Sequence, residues 1–213
     1  MDILFRNVMP YPLSSFEHAK DSIWGKDFTL VKGQKILLNA ISGKGKSTFS
    51  STLYGIRSDF DGDLFLGSKS VKKFSVFEWS ELRRTKLSIV FQDLQLFPDL
   101  TVKENLLLKN NLTNSFSEED IHQMIIKLGI EDKWYVKCGI LSMGQQQRVA
   151  IIRSLLQPFE WLILDEPFSH LDEVNSTICL ELINERCDQL KTGFILTSLG
   201  SAHNFKFDNE LKL

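Results

Sequence analysis

The chain has 213 residues, with 25 Lys and Arg against 27 Asp and Glu, a formal net charge of -2. Hydrophobic residues make up 43% and charged residues 24%, a globular balance that excludes disordered, collagen-like and mucin-like chains. Near neutrality leaves no electrostatic footprint for nucleic acid, and no apolar run approaches the roughly 20 residues of a membrane span.

The opening MDILFRNVMP lacks the basic-then-apolar order of a secretory leader. The length suits one domain with a core of its own. Short β-like runs at 3–5, 28–31, 35–39 and 64–66 are punctuated by turn residues at Lys32-Gly33 and Asp61-Gly62-Asp63. Residues 46–54 have helix length and end at Gly55, a C-cap glycine. From Asp93 to about Gly139 the pattern is mostly helical: Thr101-Val-Lys-Glu104 reads as a capping box, and Ser117-Glu-Glu-Asp120 opens a helix over 121–128 that stops at Gly129. A helix over 145–156 ends before Pro158. The run 161–164 reads as a buried strand, 173–191 as a long amphipathic helix and 194–197 as another buried strand. Strands alternating with helices predict an α/β fold with a mostly parallel sheet. The three cysteines, Cys138, Cys179 and Cys187, lack metal-ligand spacing and read as reduced thiols.

Three short stretches carry chemistry. Ala40-Ile41-Ser42-Gly43-Lys44-Gly45-Lys46-Ser47-Thr48 follows an apolar strand and precedes a helix. Gly45, Lys46 and Ser47 fit the phosphate-loop pattern. Successive backbone N–H groups at a helix start form an anion nest, Lys46 reaches the outer phosphates, and Ser47 ligates Mg²⁺. In Trp161-Leu-Ile-Leu-Asp165-Glu166, a strand ends in two carboxylates: Asp165 is placed to hold Mg²⁺ through water and Glu166 to polarise an attacking water. In Leu141-Ser142-Met143-Gly144-Gln145, Ser142 and Gly144 stand at a helix start, suited to donate to a phosphate. Taken singly, each has an ordinary alternative: a lysine-rich turn, an acidic turn and a helix cap.

In this order, the motifs resemble those of the ATP-binding subunits of ABC transporters over nearly the whole chain. The stretch 40–48 resembles the Walker A loop, Phe91-Gln92-Asp93 the Q-loop, 141–145 the LSGGQ signature, 162–166 Walker B and Ser169-His170-Leu171-Asp172 the D-loop. Pro98-Asp-Leu-Thr-Val-Lys-Glu-Asn105 and residues 25–34 are similar to the same family, and residues 81–92 are most similar to its lipoprotein-release and macrolide-export type. The resemblance implies a P-loop NTPase core with a mostly parallel sheet, an N-terminal antiparallel β part, and a helical subdomain at about 93–145 inserted within a single domain spanning 1–213. It implies a head-to-tail dimer of two copies, or of this chain and a paralogue. ATP would lie between Walker A and B of one chain and Ser142, Gly144 and Gln145 of the other, with Asp172 crossing the interface. Mg²⁺ would meet Ser47, Gln92 and Asp165, and Glu166 would act as base. Separate integral membrane permease subunits would be driven from the cytoplasmic face, where this chain would sit peripherally. No nucleic-acid partner is implied.

The sequence departs from the family's pattern at four places. Ala40 replaces the first Walker A glycine, and Met143 the first glycine of the signature pair. Ser198 stands where the family has its switch histidine; His203 and His170 are the nearest histidines. Tyr11 is the candidate for stacking on adenine. A serine cannot supply the charge-assisted hydrogen bond a histidine gives, so slow hydrolysis is expected. Two other functions fit the same residues: a nucleotide-binding regulatory subunit with little turnover, and a soluble ABC protein outside transport.

Overall fold

Alternating burial along Ile3–Pro10 makes the first strand, β1, with Ile3, Phe5 and Val8 directed inward. The computed structural model describes residues 1–41, 43–198 and 205–213. β1 pairs antiparallel with β2 (Phe28–Leu30) and with β4 (Phe60–Leu66), and β5 (Lys69–Ser70) closes this sheet in the order β2-β1-β4-β5. A second sheet is built from β3 (Lys35–Asn39), β6 (Leu87–Val90), β7 (Trp161–Asp165), β8 (Gly193–Ser198) and β9 (Asn209–Lys212), all parallel in the order β6-β7-β8-β3-β9. β7 and β8 are buried along their whole length, which explains the apolar runs 161–164 and 194–196 within them.

The helices are α1 (Lys46–Leu53), α2 (Val76–Thr85), α3 (Val102–Asn110), α4 (Glu118–Lys127), α5 (Met143–Leu155) and α6 (Glu173–Leu190). Four begin with reciprocal capping boxes: Ser75 with Glu78, Thr101 with Glu104, Ser117 with Asp120, and Ser142 with Gln145. Such a box satisfies two backbone donors that would otherwise be orphaned. α3 and α4 pack on α5, and their apolar faces join the core beneath α5 and α6.

A second core fills the space between the two sheets and α1. Its centre is Phe49 of α1, which stacks on Phe5 of β1 with ring centroids 5.5 Å apart and tilts against Trp24 at 6.2 Å. This aromatic contact fixes α1, and with it the loop that precedes α1, against the antiparallel sheet. Truncating a buried phenylalanine costs ~3–5 kcal/mol, a large part of a domain's stability.

Several elements differ from the sequence expectation. Asp61-Gly62-Asp63 is not a turn but the middle of β4. It faces a bulge in β1, where the register shifts between Arg6 and Met9 and Asn7 takes φ 49°. Gly62 has φ 81°, and a Cβ there would lie 2.3 Å from the Asn7 carbonyl oxygen, so the glycine marks a close strand approach. α5 starts at Met143 rather than Gln145, because Ser142 caps it. α2 and β9 carry no clear periodic signal: α2 buries no residue and leaves Val76 and Phe77 exposed, and β9 is a polar edge strand recruited by β3.

We expect Gly62→Ala to lower stability by ~3 kcal/mol, from clash and left-handed strain together. Gly33→Ala, at φ 90° but with no atom within 4 Å of the added carbon, should cost only ~1 kcal/mol. Urea denaturation of the two variants checks the ordering.

Candidate functional site

Parallel pairing brings the carboxyl ends of β3, β6, β7 and β8 to one edge, the place where open parallel sheets bind ligands. Register sets the neighbours: Asn39 lies beside Ser198, and Asp165 beside Thr197. The loop leaving β3 turns through Gly43 at φ 80° and Gly45 at φ 100°. At Gly45 a Cβ would meet Leu13 Cδ1 at 2.6 Å. Trp24 Nε1 donates to the Lys44 carbonyl at 3.4 Å. The loop is therefore seated on two side chains from the N-terminal part. Tyr11 is exposed and lies two residues before Leu13, and its backbone N–H donates to the Asp59 carbonyl at 3.0 Å. Thr48 and Lys44 are half-buried, and Ser42 lies outside the described residues.

Lys46, the first residue of α1, is only 4% exposed. Its ammonium donates to the Ala40 carbonyl at 2.8 Å and pairs with Glu166 Oε1 at 3.2 Å. The Ala40 methyl does not crowd the loop: it is buried in the core between the sheets, on backbone outside the left-handed region.

Asp165 and Glu166 are held by Thr197, which no motif in the sequence marks. The Thr197 hydroxyl donates to Asp165 Oδ1 at 2.9 Å and accepts from the Glu166 N–H at 3.0 Å. Glu166 is a non-glycine residue at φ 48°, a conformation that persists only where its surroundings enforce it. Burial pushes the Asp165 carboxyl above its ordinary range; Ser47 and Thr197 hydrogen bonding and the Lys46 charge pull the other way, while Glu166 adds to the rise. The Ser47 hydroxyl donates to Gln92 Oε1 at 3.1 Å. A hydroxyl, an amide oxygen and one carboxylate thus converge beside the phosphate loop. Mg²⁺ takes oxygen ligands, keeps several waters and needs few carboxylates when phosphates are present, so this donor set fits it. Among the described residues no group of three His, Cys, Asp or Glu gathers as a metal site.

Gln92 stands just past the end of β6. The next turn puts Leu94 at φ 60° and Gln95 at φ 50°. Arg153 of α5 grips it, donating to the Leu94 and Gln95 carbonyls at 2.7 Å each. The opposite end of α5 carries the 141–145 stretch. Ser142 accepts from the Gln145 N–H at 3.3 Å, and Gln145 Oε1 accepts from the Ser142 N–H at 3.0 Å. In the other three boxes the cap hydroxyl also donates to the box carboxylate; no such bond joins Ser142 to the neutral Gln145. Met143 is 46% exposed and leaves the cap intact. Gly144 lets the helix approach the following turn, since a Cβ would lie 2.9 Å from the His170 carbonyl oxygen. Gln147 fastens that turn, donating to Ser169 Oγ at 2.8 Å and accepting from the His170 N–H at 3.0 Å. Asp172 is exposed and caps α6 through the Asn175 N–H at 2.7 Å, which with the Asn175 side chain holds its pKa low.

The structure thus brings together Ala40, Lys46, Ser47, Gln92, Asp165 and Glu166, with Ser198 at the end of the adjoining strand. Among the described residues no hydrogen bond or ion pair joins Ser142, Gly144 or Gln145 to this group. Ser198 is 7% exposed, and its carbonyl accepts from the Ala40 N–H at 3.3 Å. His203 lies outside the described residues.

A glycine-turned loop at a helix start, closing on a buried lysine beside a strand-end carboxylate pair, defines a nucleoside-triphosphate site of the P-loop class. The family model described as "ABC transporter" matches residues 25–169. The lipoprotein-releasing system ATP-binding protein LolD of Buchnera aphidicola subsp. Acyrthosiphon pisum (strain APS) is 33% identical over 174 residues, covering 80% of this chain and 76% of that protein. The thiamine import ATP-binding protein ThiQ of Jannaschia sp. (strain CCS1) is 35% identical over 173 residues, covering 80% and 73%. Among solved structures, a dimeric bacterial ABC transporter cassette superposes with TM-score 0.82 at 24% identity, over 99% of this chain and 94% of that one. The chain belongs to the ABC transporter family. It is an ATP-binding subunit and an ATPase of that family, with the family's α/β cassette fold. Among the described residues no helix is long and apolar enough to cross a membrane.

We expect Thr197→Val to cost ~1–3 kcal/mol, because it strips a buried carboxyl and a backbone N–H of their shared partner. Thr197→Ser, which keeps the hydroxyl, should recover most of the loss. Urea midpoints of the two variants check this.

Proposed function

We propose that residues 1–213 form one cassette with a helical insert at about 93–145. In this reading it binds Mg-ATP across a head-to-tail pair of copies, or with a paralogue, and drives a separate membrane permease from the cytoplasmic face. The observation that carries this reading is the convergence of Lys46, Ser47, Gln92, Asp165 and Glu166 at the strand ends.

Lys46 and the α1 N-terminus bind the phosphates, and Tyr11 stacks on the base. Ser47, Gln92 and Asp165 hold Mg²⁺, which supplies charge neutralisation on the phosphate oxygens. Phosphate oxygens arriving at Lys46 take over from Glu166 as its counter-charge. The released carboxylate can then accept a proton from the attacking water. The Ser142 hydroxyl, whose proton is not taken by Gln145, donates to the terminal phosphate of the partner's nucleotide, with the Gly144 backbone beside it. Asp172 meets the partner copy at the interface. LolD is named for lipoprotein release and ThiQ for thiamine import, and both match to a similar extent; cargo choice in this reading resides with the permease.

Ser198 sets the rate. A charge-assisted bond from a histidine is worth ~1.5–3 kcal/mol, a factor of ~10–150 if made in the transition state. We expect calorimetry to show Mg-ATP binding that Lys46→Ala removes, a low basal hydrolysis rate, and a rise of ~10-fold or more in Ser198→His. A wild-type rate typical of the family would overturn the slow-turnover reading. The short Ser198 side chain also favours the regulatory-subunit reading, which prevails if Glu166→Gln leaves the measured hydrolysis unchanged.

A further inference from the structure

Residues 69–86 hold six of the 25 Lys and Arg but only two of the 27 Asp and Glu. In a chain whose formal net charge is -2, this segment stands out as basic. It runs from β5 through a 3₁₀ turn at Val71–Lys73 into α2. Its two carboxylates are already engaged: Glu78 pairs with Lys69 and closes the capping box with Ser75, and Glu81 pairs with Arg84 at 2.7 Å. Lys72 and Lys73 are exposed. Lys72 reaches Asp63 at 3.3 Å, and among the described residues no carboxylate pairs with Lys73.

α2 is held firmly from one side. Trp79 fills the space beside Gly55, where a Cβ would overlap its ring, and tilts against Phe74 with centroids 5.3 Å apart. Arg83, one turn on, lies 5.3 Å from the centroids of both the Tyr54 and the Trp79 rings, and it donates to the Tyr54 and Gly55 carbonyls at 3.2 and 2.9 Å. The face of α2 that carries Trp79 and Arg83 is thus fastened to the end of α1. Its first turn is left standing in water: Val76 is 89% exposed and Phe77 74%. The exposed lysines precede this turn directly in the chain, and the positive end of the helix dipole lies at the same end.

Large apolar side chains held in water gain by leaving it. The tip of α2 protrudes, since the helix buries none of its residues. A protrusion of two apolar side chains, flanked by cations, suits a soft apolar medium with an anionic surface. We propose that Val76 and Phe77 insert among the headgroups of an anionic phospholipid bilayer while Lys72 and Lys73 meet the lipid phosphates. The proposal goes beyond the nucleotide reading and stands on α2 and the turn before it; a chain that works beside a permease has such a surface within reach.

Flotation of the full chain with vesicles tests this, using phosphatidylcholine alone and phosphatidylcholine with one third phosphatidylglycerol. Urea midpoints check that each variant is folded. The wild type should partition ~10-fold or more in favour of the anionic vesicles, and added salt should weaken that partitioning. Phe77→Ser should cut binding to the anionic vesicles ~10-fold or more, and Phe77→Trp, which keeps the apolar body, should retain it. Lys72→Gln together with Lys73→Gln should remove most of the preference for anionic lipid. No binding of the wild type to either vesicle, equal binding to both, or binding that Phe77→Ser leaves unchanged would each overturn the proposal. So would a wild type that ignores lipid and a dimer that Phe77→Ser dissolves in sedimentation, because the tip would then belong to a second copy. Absence of Mg-ATP binding in calorimetry would instead sink the functional reading and leave the lipid contact standing.

Discussion

An ammonium group that is almost wholly enclosed must find its acceptors inside the protein, and Lys46 finds two: the Ala40 carbonyl and the Glu166 carboxylate. Meeting that demand organises the rest of the site. The carbonyl comes from the exit of β3 and the carboxylate from the exit of β7, so the two strands must end level with each other. β8 lies between them, and Thr197 on it ties Asp165 to the Glu166 backbone. The strain of Glu166 at φ 48° is held by this local set of bonds. In the function proposed above, triphosphate oxygens would offer the same ammonium more charge and more acceptors than one carboxylate does.

α5 ties down two turns, one at each of its ends. Its N-terminus carries Ser142. Gln147, one turn in, fastens the 168–171 turn, and Arg153, near its far end, fastens the turn after Gln92. A helix is stiff over this length, so displacement at one end reaches the other without loss in flexible linkers. α3 and α4 pack on the same helix.

Much of this was legible in the sequence. The fully buried β7 and β8 announced themselves as unbroken apolar runs, and Thr101 and Ser117 stated their helix starts through capping boxes that the structure forms. The motif residues flanking β3 and β7 fall where their spacing put them. Other features were not legible, for physical reasons. Gly62 looks like a turn residue because the reason for it, a carbonyl of β1, is more than 50 positions away in the chain. Thr197 is one β-branched residue among others until the β7–β8 register sets it beside Asp165. Gln147 sits in a run of three glutamines that gives no hint which one is buried. Arg153 reads as an ordinary helix-end cation and is instead spent on two carbonyls.

The seat of Gly45 has an implication for how the chain can be divided. The loop rests on Leu13 and Trp24, and both precede the 25–169 stretch that matches the family model. β8, with Thr197, follows it. An excised 25–169 fragment would hold the resembling motifs from 40–48 to 162–166 and only the first residue of 169–172, yet lack the wedge beneath the loop and the hydroxyl behind the acidic pair. The boundaries of recognisable ancestry and of autonomous competence do not coincide here, and a minimal nucleotide-binding piece of this molecule has to include both flanks.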